Sequence, residues 1–312
     1  MTRIVVTGAD GFVGRALCPL LEAAGHAVRR ATRGGVLAVG DIGPETDWCA
    51  ALGGCEAVVH LAARVHVLSD TSSDPLVAFR AVNAEGTLNL ARQAAAVGVK
   101  RFVFVSSIKV NGEGRDTPYT EADAVAPADA YALSKWEAEQ GLREIALATG
   151  MQVVILRPPL VYGPGVKANF WRLMRAVAGG WPLPFGRVEN RRSLLYLGNL
   201  VDAIRLALEH PAAAGQTYVL ADGEDVSSAE LVRRLAGAMN RPARLVPLPT
   251  AWLRLAGRML GRTKQVDRLL GSLTVDAARI RRDLDWRPPF SLEQGLEATV
   301  KAFLAEGGHE CR

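Results

Sequence analysis

The sequence predicts an α/β protein, a doubly wound parallel sheet with a smaller, mostly helical C-terminal lobe. Three observations predict it. An apolar strand over residues 3–7 runs into a turn with glycines at positions 8, 11 and 14, and then into a helical pattern. Short apolar segments afterwards alternate with helical stretches of about 10–20 residues, the rhythm of a parallel sheet covered by helices on both faces. At 312 residues the chain also exceeds the usual size of one compact domain, which leaves room for a second, unequal lobe. We expect residues 1–163 to form the sheet domain, with 191–221 returning to it, and 164–190 with 222–312 to form the lobe.

Taken in order, strand 3–7 (Arg3-Ile-Val-Val-Thr7) meets glycines at intervals of three. Such spacing lets the backbone turn tightly and approach a pyrophosphate at a helix N-terminus, where free N–H groups and the helix dipole favour an anion. That helix, 15–24, closes at Gly25. The second strand, 26–31, ends with Arg29, Arg30, Thr32 and Arg33. An NAD-type site carries Asp or Glu there, about 20 residues past the glycines. A carboxylate repels a 2′-phosphate, whereas a guanidinium binds it through paired hydrogen bonds. This ending points to NADP(H), with NAD(H) as the alternative; the plain structural reading is a solvated strand end.

Segments 39–42 and 57–63 read as two further strands around a helical stretch. A helix runs from about residue 74 to Gly98, and 101–107 is another apolar strand. Ligands of such sheets bind off the carboxyl ends of the strands, which is where Ser106 and Ser107 fall. On the following helix Tyr131 and Lys135 are four residues apart and share a face. A nearby ammonium lowers the pKa of a phenol, so this pair can move a proton near neutral pH. Residues 151–157 form a sixth strand, ended by the Pro/Gly run 158–165. Beyond it we expect a helix over 169–178, a polar segment 189–193, a helix over 199–210 and a strand over 217–220. Helices over 228–239, 251–260 and 275–284 follow, then a Pro288-Pro289 turn and a last amphipathic helix.

Composition excludes several classes. Hydrophobic content of 49% with 22% charged residues is ordinary for a globular protein. A net charge of +5 from scattered arginines weighs against nucleic acid and fits an anionic small molecule. Cys18, Cys49, Cys55 and Cys311 have no CxxC spacing, and no secretory leader pattern precedes them, so reduced thiols and a cytoplasmic location are expected. No apolar run reaches the ~18 residues of a membrane span. His60 and His66 lack zinc-site spacing, so no metal is expected, and His60 reads as a strand-end packing residue. Trp171, Trp181 and Trp252 read as packing residues before sugar-pocket residues. The 251–260 helix, with Arg254 and Arg258, reads as a solvated amphipathic helix before a membrane contact.

The chain resembles the extended short-chain dehydrogenase/reductase family, in its nucleotide-sugar epimerase/dehydratase/reductase branch. The resemblance rests on Thr7-Gly-Ala-Asp-Gly-Phe-Val-Gly14, Asp41-Ile42, His60-Leu-Ala-Ala63, Asn83 with Gly86-Thr87, Val105-Ser-Ser107, Tyr131 with Lys135, Arg157-Pro158, and Leu284-Asp-Trp-Arg-Pro288. It implies a Rossmann-type domain whose cofactor is held by Gly8, Asp10, Gly11, Phe12, Val13 and Gly14. Thr32, Arg33 and Arg30 would meet the adenosine ribose, Asp41 and Ile42 the adenine, and Leu61, Ala62, Ala63, Val105 and Pro158 the rest. By the same resemblance Ser107 bonds the reacting oxygen, Tyr131 exchanges the proton, and Lys135 holds the nicotinamide ribose and depresses the Tyr pKa. Asn83 supports the site. Arg192 resembles the arginine that grips a nucleotide diphosphate, with Asn169 and Arg268 as weaker candidates. By the same resemblance the helices after Asp74 and Tyr131 would pair two copies into a homodimer.

The departures steer the activity. Ser107 is followed by Ile108-Lys109 rather than the Asp-Glu pair of a dehydratase, and Thr32-Arg33 replaces the acidic residue common in epimerases. The segments 106–113 and 190–193 resemble those of bacterial polysaccharide-pathway reductases acting on UDP-4-keto-6-deoxy-N-acetylhexosamines. The first expectation is therefore NADPH-dependent reduction of a nucleotide-linked 4-keto sugar. The runner-up is an NAD-dependent UDP-sugar 4-epimerase using the same Ser/Tyr/Lys set. A non-catalytic dinucleotide sensor is a third reading, opposed by the intact set. UDP, dTDP and GDP all remain open as the nucleotide.

Overall fold

The computed structural model describes residues 1–35, 37–65 and 74–307. His66 and Cys311 lie outside the described residues.

A six-stranded, all-parallel sheet forms the centre. Its strands are β1 (Arg3–Thr7), β2 (Ala27–Ala31), β3 (Ala57–His60), β4 (Arg101–Val105), β5 (Gln152–Arg157) and, later in the chain, β8 (Thr217–Val219). Their order is β2-β1-β3-β4-β5-β8, so the chain reverses direction across the sheet between β1 and β3. Alternating side chains fill the two faces of one sheet core, as the period of two requires. Ile4, Val6, Val59 and Val154 pack against α1 (Phe12–Ala23) and α7 (Leu197–Glu209) on one face. Val5, Val58, Phe102, Phe104 and Ile155 pack on the other against α2 (Cys49–Leu52), α4 (Gly86–Ala96) and α5 (Ala130–Thr149). Both faces being covered, the strands are nearly continuous apolar runs.

A second core gathers around β6 (Leu160–Tyr162), β7 (Arg192–Tyr196) and β9 (Asp225–Val226), a three-stranded sheet in the order β6-β7-β9. Phe170 and Met174 of α6 (Ala168–Ala178), Leu235 of α8 (Ser228–Ala238), and Val300 and Phe303 of α12 (Leu292–Ala305) fill it. The remaining elements are α3 (Pro75–Arg80), α9 (Thr250–Met259), α10 (Thr263–Leu270) and α11 (Ala278–Leu284).

Four sequence expectations change. Residues 39–42 form no strand: Gly40 sits at φ +67°, and beyond β2 only the isolated pair Thr32–Ala38 extends the edge. The helix expected from 74 to 98 is three pieces. Asp74 caps α3 by accepting from the Leu76 and Val77 N–H groups, and a π-helical stretch, Ala81–Glu85, separates α3 from α4. The helix expected from 275 starts at Ala278, because Val275 instead bridges to Tyr119. The small sheet and α10 have no counterpart among the predicted elements.

Candidate active site

The glycine turn stands at the carboxyl ends of β1 and β3. Gly8 has φ +65°, the left-handed region that only glycine occupies freely, and a Cβ there would press on the Ala62 backbone at 3.0 Å. Gly11 is the N-cap of α1, with no side chain capping it and no acidic residue in the first turn, so the helix N-terminus is open to an anion. At Gly14 a Cβ would overlap the Ala9 backbone, with Cα at 2.6 Å, so only glycine lets the helix lie this close to the turn. These features fit a dinucleotide pyrophosphate. Asp10, Phe12 and Val13 belong to the same turn, and Ile42 packs across the Gly86 backbone at the start of α4.

The arginines at the end of β2 and just past it have partners. Arg33 Nε lies 2.8 Å from Asp41 Oδ1, which brings two expected cofactor residues together on an exposed edge. Arg30 turns back to α1 and binds both carboxylate oxygens of Glu22 at 2.8 Å. The Thr32 hydroxyl donates to Gly34 O. Arg30 thus rests as a surface partner of α1.

Ser107, Tyr131 and Lys135 converge where β4 meets α5. Ser107 lies just past β4 and its hydroxyl hydrogen-bonds the Tyr131 phenol. Lys135 is buried; its Nζ donates to Val105 O at 2.8 Å and sits 4.3 Å from the centre of the Phe104 ring. Burial pulls the Lys135 pKa down to about 7, although Glu139 works to raise it. The expectation that Lys135 depresses the Tyr131 pKa does not hold in this arrangement. Burial first, then the Asp129 carboxylate, push the phenol up to about 12, against the Ser107 hydrogen bond. The ammonium is spent on the Val105 carbonyl and the Phe104 ring.

Behind these groups runs a continuous hydrogen-bond chain that sequence reasoning missed. Thr87 Oγ1 donates to Asn83 O at 2.7 Å, so it can only accept from His60 Nε2, 2.9 Å away. His60 therefore carries its proton on Nε2, and Nδ1 accepts from the Thr7 hydroxyl at 2.7 Å. Thr7 Oγ1 in turn accepts from the Leu61 and Ala62 N–H groups at 3.2 Å. Asn83 Nδ2 donates to Ser134 Oγ at 3.1 Å, and Ser134 donates to the Tyr131 carbonyl at 2.8 Å. The π-helical stretch carries Asn83 inward, where it is fully buried. Strand-end backbone at Leu61–Ala62 and the helix bearing Tyr131 are thus tied into one polar frame, and His60 is a hydrogen-bonded junction rather than packing alone. Burial, with the Lys135 charge, holds its pKa down at about 3.

A second group missed from sequence stands on the other side of the phenol. Lys109 Nζ is 2.7 Å from Asp129 Oδ2 and 5.9 Å from the centre of the Tyr131 ring. Asp129 also caps α5, accepting from Ala132 N at 2.8 Å. Burial works to raise its pKa, but Lys109, the Ala132 N–H and Arg268 outweigh it and hold the carboxyl below its ordinary range. An Asp directly before the helical Ala130-Tyr131 is an N-cap signal that could have revealed it.

The expected diphosphate residues divide. Arg268, on α10, pairs with Glu113 and lies 3.3 Å from Asp129, which places it in the charged group beside Tyr131. Arg192 does not present its guanidinium freely. It donates to Arg268 O at 2.6 Å and Gly271 O at 3.1 Å, closing the C-terminal end of α10. Asn169 lies exposed in the first turn of α6. Pro158 follows β5 and accepts from Ile108 N at 3.0 Å.

Comparison with known proteins gives the family. The profile of the NAD dependent epimerase/dehydratase family matches residues 4–221. The chain is 47% identical over 313 residues to UDP-glucose 4-epimerase of Vibrio cholerae, covering 96% of this chain and 95% of that protein. Among solved structures, RMD from Pseudomonas aeruginosa complexed with NADPH is 25% identical at TM-score 0.78, covering 98% of this chain and 100% of that one. MoeE5 in complex with UDP-glucose and NAD is 25% identical at TM-score 0.79, covering 97% and 99%.

Proposed function

The chain belongs to the NAD dependent epimerase/dehydratase family, among the extended short-chain dehydrogenase/reductases, and from that premise we propose that it is a 4-epimerase of a UDP-linked sugar that works with a retained NAD. The observation that carries this reading is the 47% identity to a UDP-glucose 4-epimerase along nearly the whole of both chains. It reverses the order reached from sequence, where the NADPH-dependent 4-ketoreductase stood first. That order leaned on Arg33, which here meets the exposed Asp41 carboxylate.

When bound, the nicotinamide supplies a hydride acceptor and donor. The chain's own residues do the rest. Tyr131 takes the proton of the sugar C4 hydroxyl and later returns it to the same oxygen, after the 4-keto sugar has turned its other face toward the cofactor site. The Ser107 hydroxyl, already bonded to the phenol, steadies the oxygen as charge develops on it. Lys135 anchors the site floor through Val105 O and serves the cofactor ribose. Arg268 and Lys109 supply the cationic side of the substrate pocket. No carboxylate follows Ser107, so elimination of water has no acid-base pair there.

The test starts with purified, dialysed protein. Denaturation should release NAD close to one per chain, and UDP-glucose should be converted to UDP-galactose with no cofactor added. Tyr131→Phe should cut turnover at least about 100-fold while leaving the NAD in place. Protein that emerges empty and consumes NADPH with a 4-keto sugar would restore the reductase.

A further inference from the structure

Between Arg241 and Val266 the chain carries five arginines and one lysine and not a single carboxylate, so this stretch is the most one-sidedly basic in the sequence. Helix α9 lies within it, and its apolar residues are not where a solvated amphipathic helix would put them. The face turned to the protein is narrow. Leu253 packs on the second core, and Gly257 is buried against Val266 of α10. On the opposite side Trp252 is 66% exposed, Leu255 46% and Met259 79%, and Leu260 at the helix end is 72% exposed. At 3.6 residues per turn, Leu255, Met259 and Trp252 fall within an arc of about 60°, and Arg258 and Arg254 lie along one margin of it. A helix with an outward apolar ridge and arginines at its margin is built for a water–lipid boundary, where the ridge enters the headgroup region and the guanidinium groups reach lipid phosphates.

We propose that α9 docks this protein on an anionic bilayer surface, with Trp252, Leu255, Met259 and Leu260 entering the interface and Arg254 and Arg258 meeting the headgroups. The charge decides the occupant: Asp267 of α10 lies 3.9 Å from Arg254, but the arginines outnumber it, and an arginine-rich surround complements an anionic surface, whereas a zwitterionic one offers no net attraction. Docking is along the surface, for no described helix is long and apolar enough to cross a membrane. Because α9 packs on α10, and α10 carries Arg268 into the charged group beside Tyr131, the docked face stands one helix away from the candidate site. The proposal does not depend on which sugar is the substrate.

The experiment is flotation of the full chain with phosphatidylcholine vesicles, with and without about a third phosphatidylglycerol, reading Trp fluorescence alongside. Binding should be confined to the anionic vesicles. It should weaken roughly fivefold for each arginine replaced in Arg254→Gln and Arg258→Gln, and be lost in Trp252→Ser/Met259→Ser/Leu260→Ser. Thermal unfolding and bound cofactor, measured on the same samples, should match the parent because these side chains lie outside both cores. Equal binding to both vesicle types, no binding to either, or undiminished binding by the triple-serine variant each overturns the proposal. So does a parent that ignores vesicles and whose solution mass falls on introducing the three serines, which would make the ridge a contact between copies.

Discussion

The proton chemistry turns on individual groups. Burial and the facing Asp129 push the Tyr131 phenol up to about 12, and Lys109 offsets that carboxylate from 2.7 Å. Asp129→Asn keeps an N-cap for α5 but removes the charge. The phenol pKa should fall, read as the tyrosine absorbance titration that disappears when Tyr131→Phe is added to the same background. An unchanged titration would show that Asp129 does not act on the phenol. Lys135 carries the complementary cost. Its folded pKa of about 7 lies below the unfolded value of 10.5, so between the two the unfolded chain binds the extra proton and stability rises with pH. Above the unfolded value the penalty vanishes, and below about 7 it is present in full. Lys135→Met should therefore raise the melting temperature, most at about pH 6 and least near pH ~10, while abolishing turnover. That Tyr131 and Lys135 share a site was legible from their spacing. Where the ammonium points was not, because i and i+4 fix a common face and say nothing of the Val105 carbonyl beneath it.

At the scale of elements, the glycine turn was readable because each glycine has a steric reason. Gly14→Ala would drive a methyl into the Ala9 backbone, so either the turn or α1 must shift. Cofactor retained after dialysis should fall by at least about tenfold, and stability should drop by about 1–3 kcal/mol. A variant that kept both would show that α1 need not approach the turn so closely. Periodicity misled where polar contacts decide the backbone. The run from Asp74 to Gly98 has one helical pattern, yet an inserted π-helical stretch seats Asn83 between Ser134 and the Arg64 backbone. The 39–42 segment has strand-like residues, but Gly40 turns the chain away after one bridge. The two-residue β9 and three-residue β6 are too short for alternation to announce them.

For the whole molecule, the question is how the second core is joined to the catalytic face. Arg192 of β7 holds the end of α10 by its carbonyls, and Arg268 of α10 reaches Glu113 and Asp129 near Tyr131. These long-range ties were invisible in sequence, since a resemblance assigns both arginines to a ligand and leaves their resting partners unnamed. The resting pairs make two roles separable. If Arg268 only ties the lobes, Glu113→Gln and Arg268→Gln should each weaken stability, and a double-mutant cycle should show a coupling of about 0.5–1 kcal/mol for this partly exposed pair. If Arg268 also meets the substrate diphosphate, Arg268→Gln should raise KM by at least about tenfold, the loss of a charge-assisted hydrogen bond, while Glu113→Gln leaves KM unchanged or lowers it by freeing the guanidinium. We expect both the coupling and the asymmetric KM. Two equal KM effects would mean that substrate never meets Arg268 and that α10 acts only through its position.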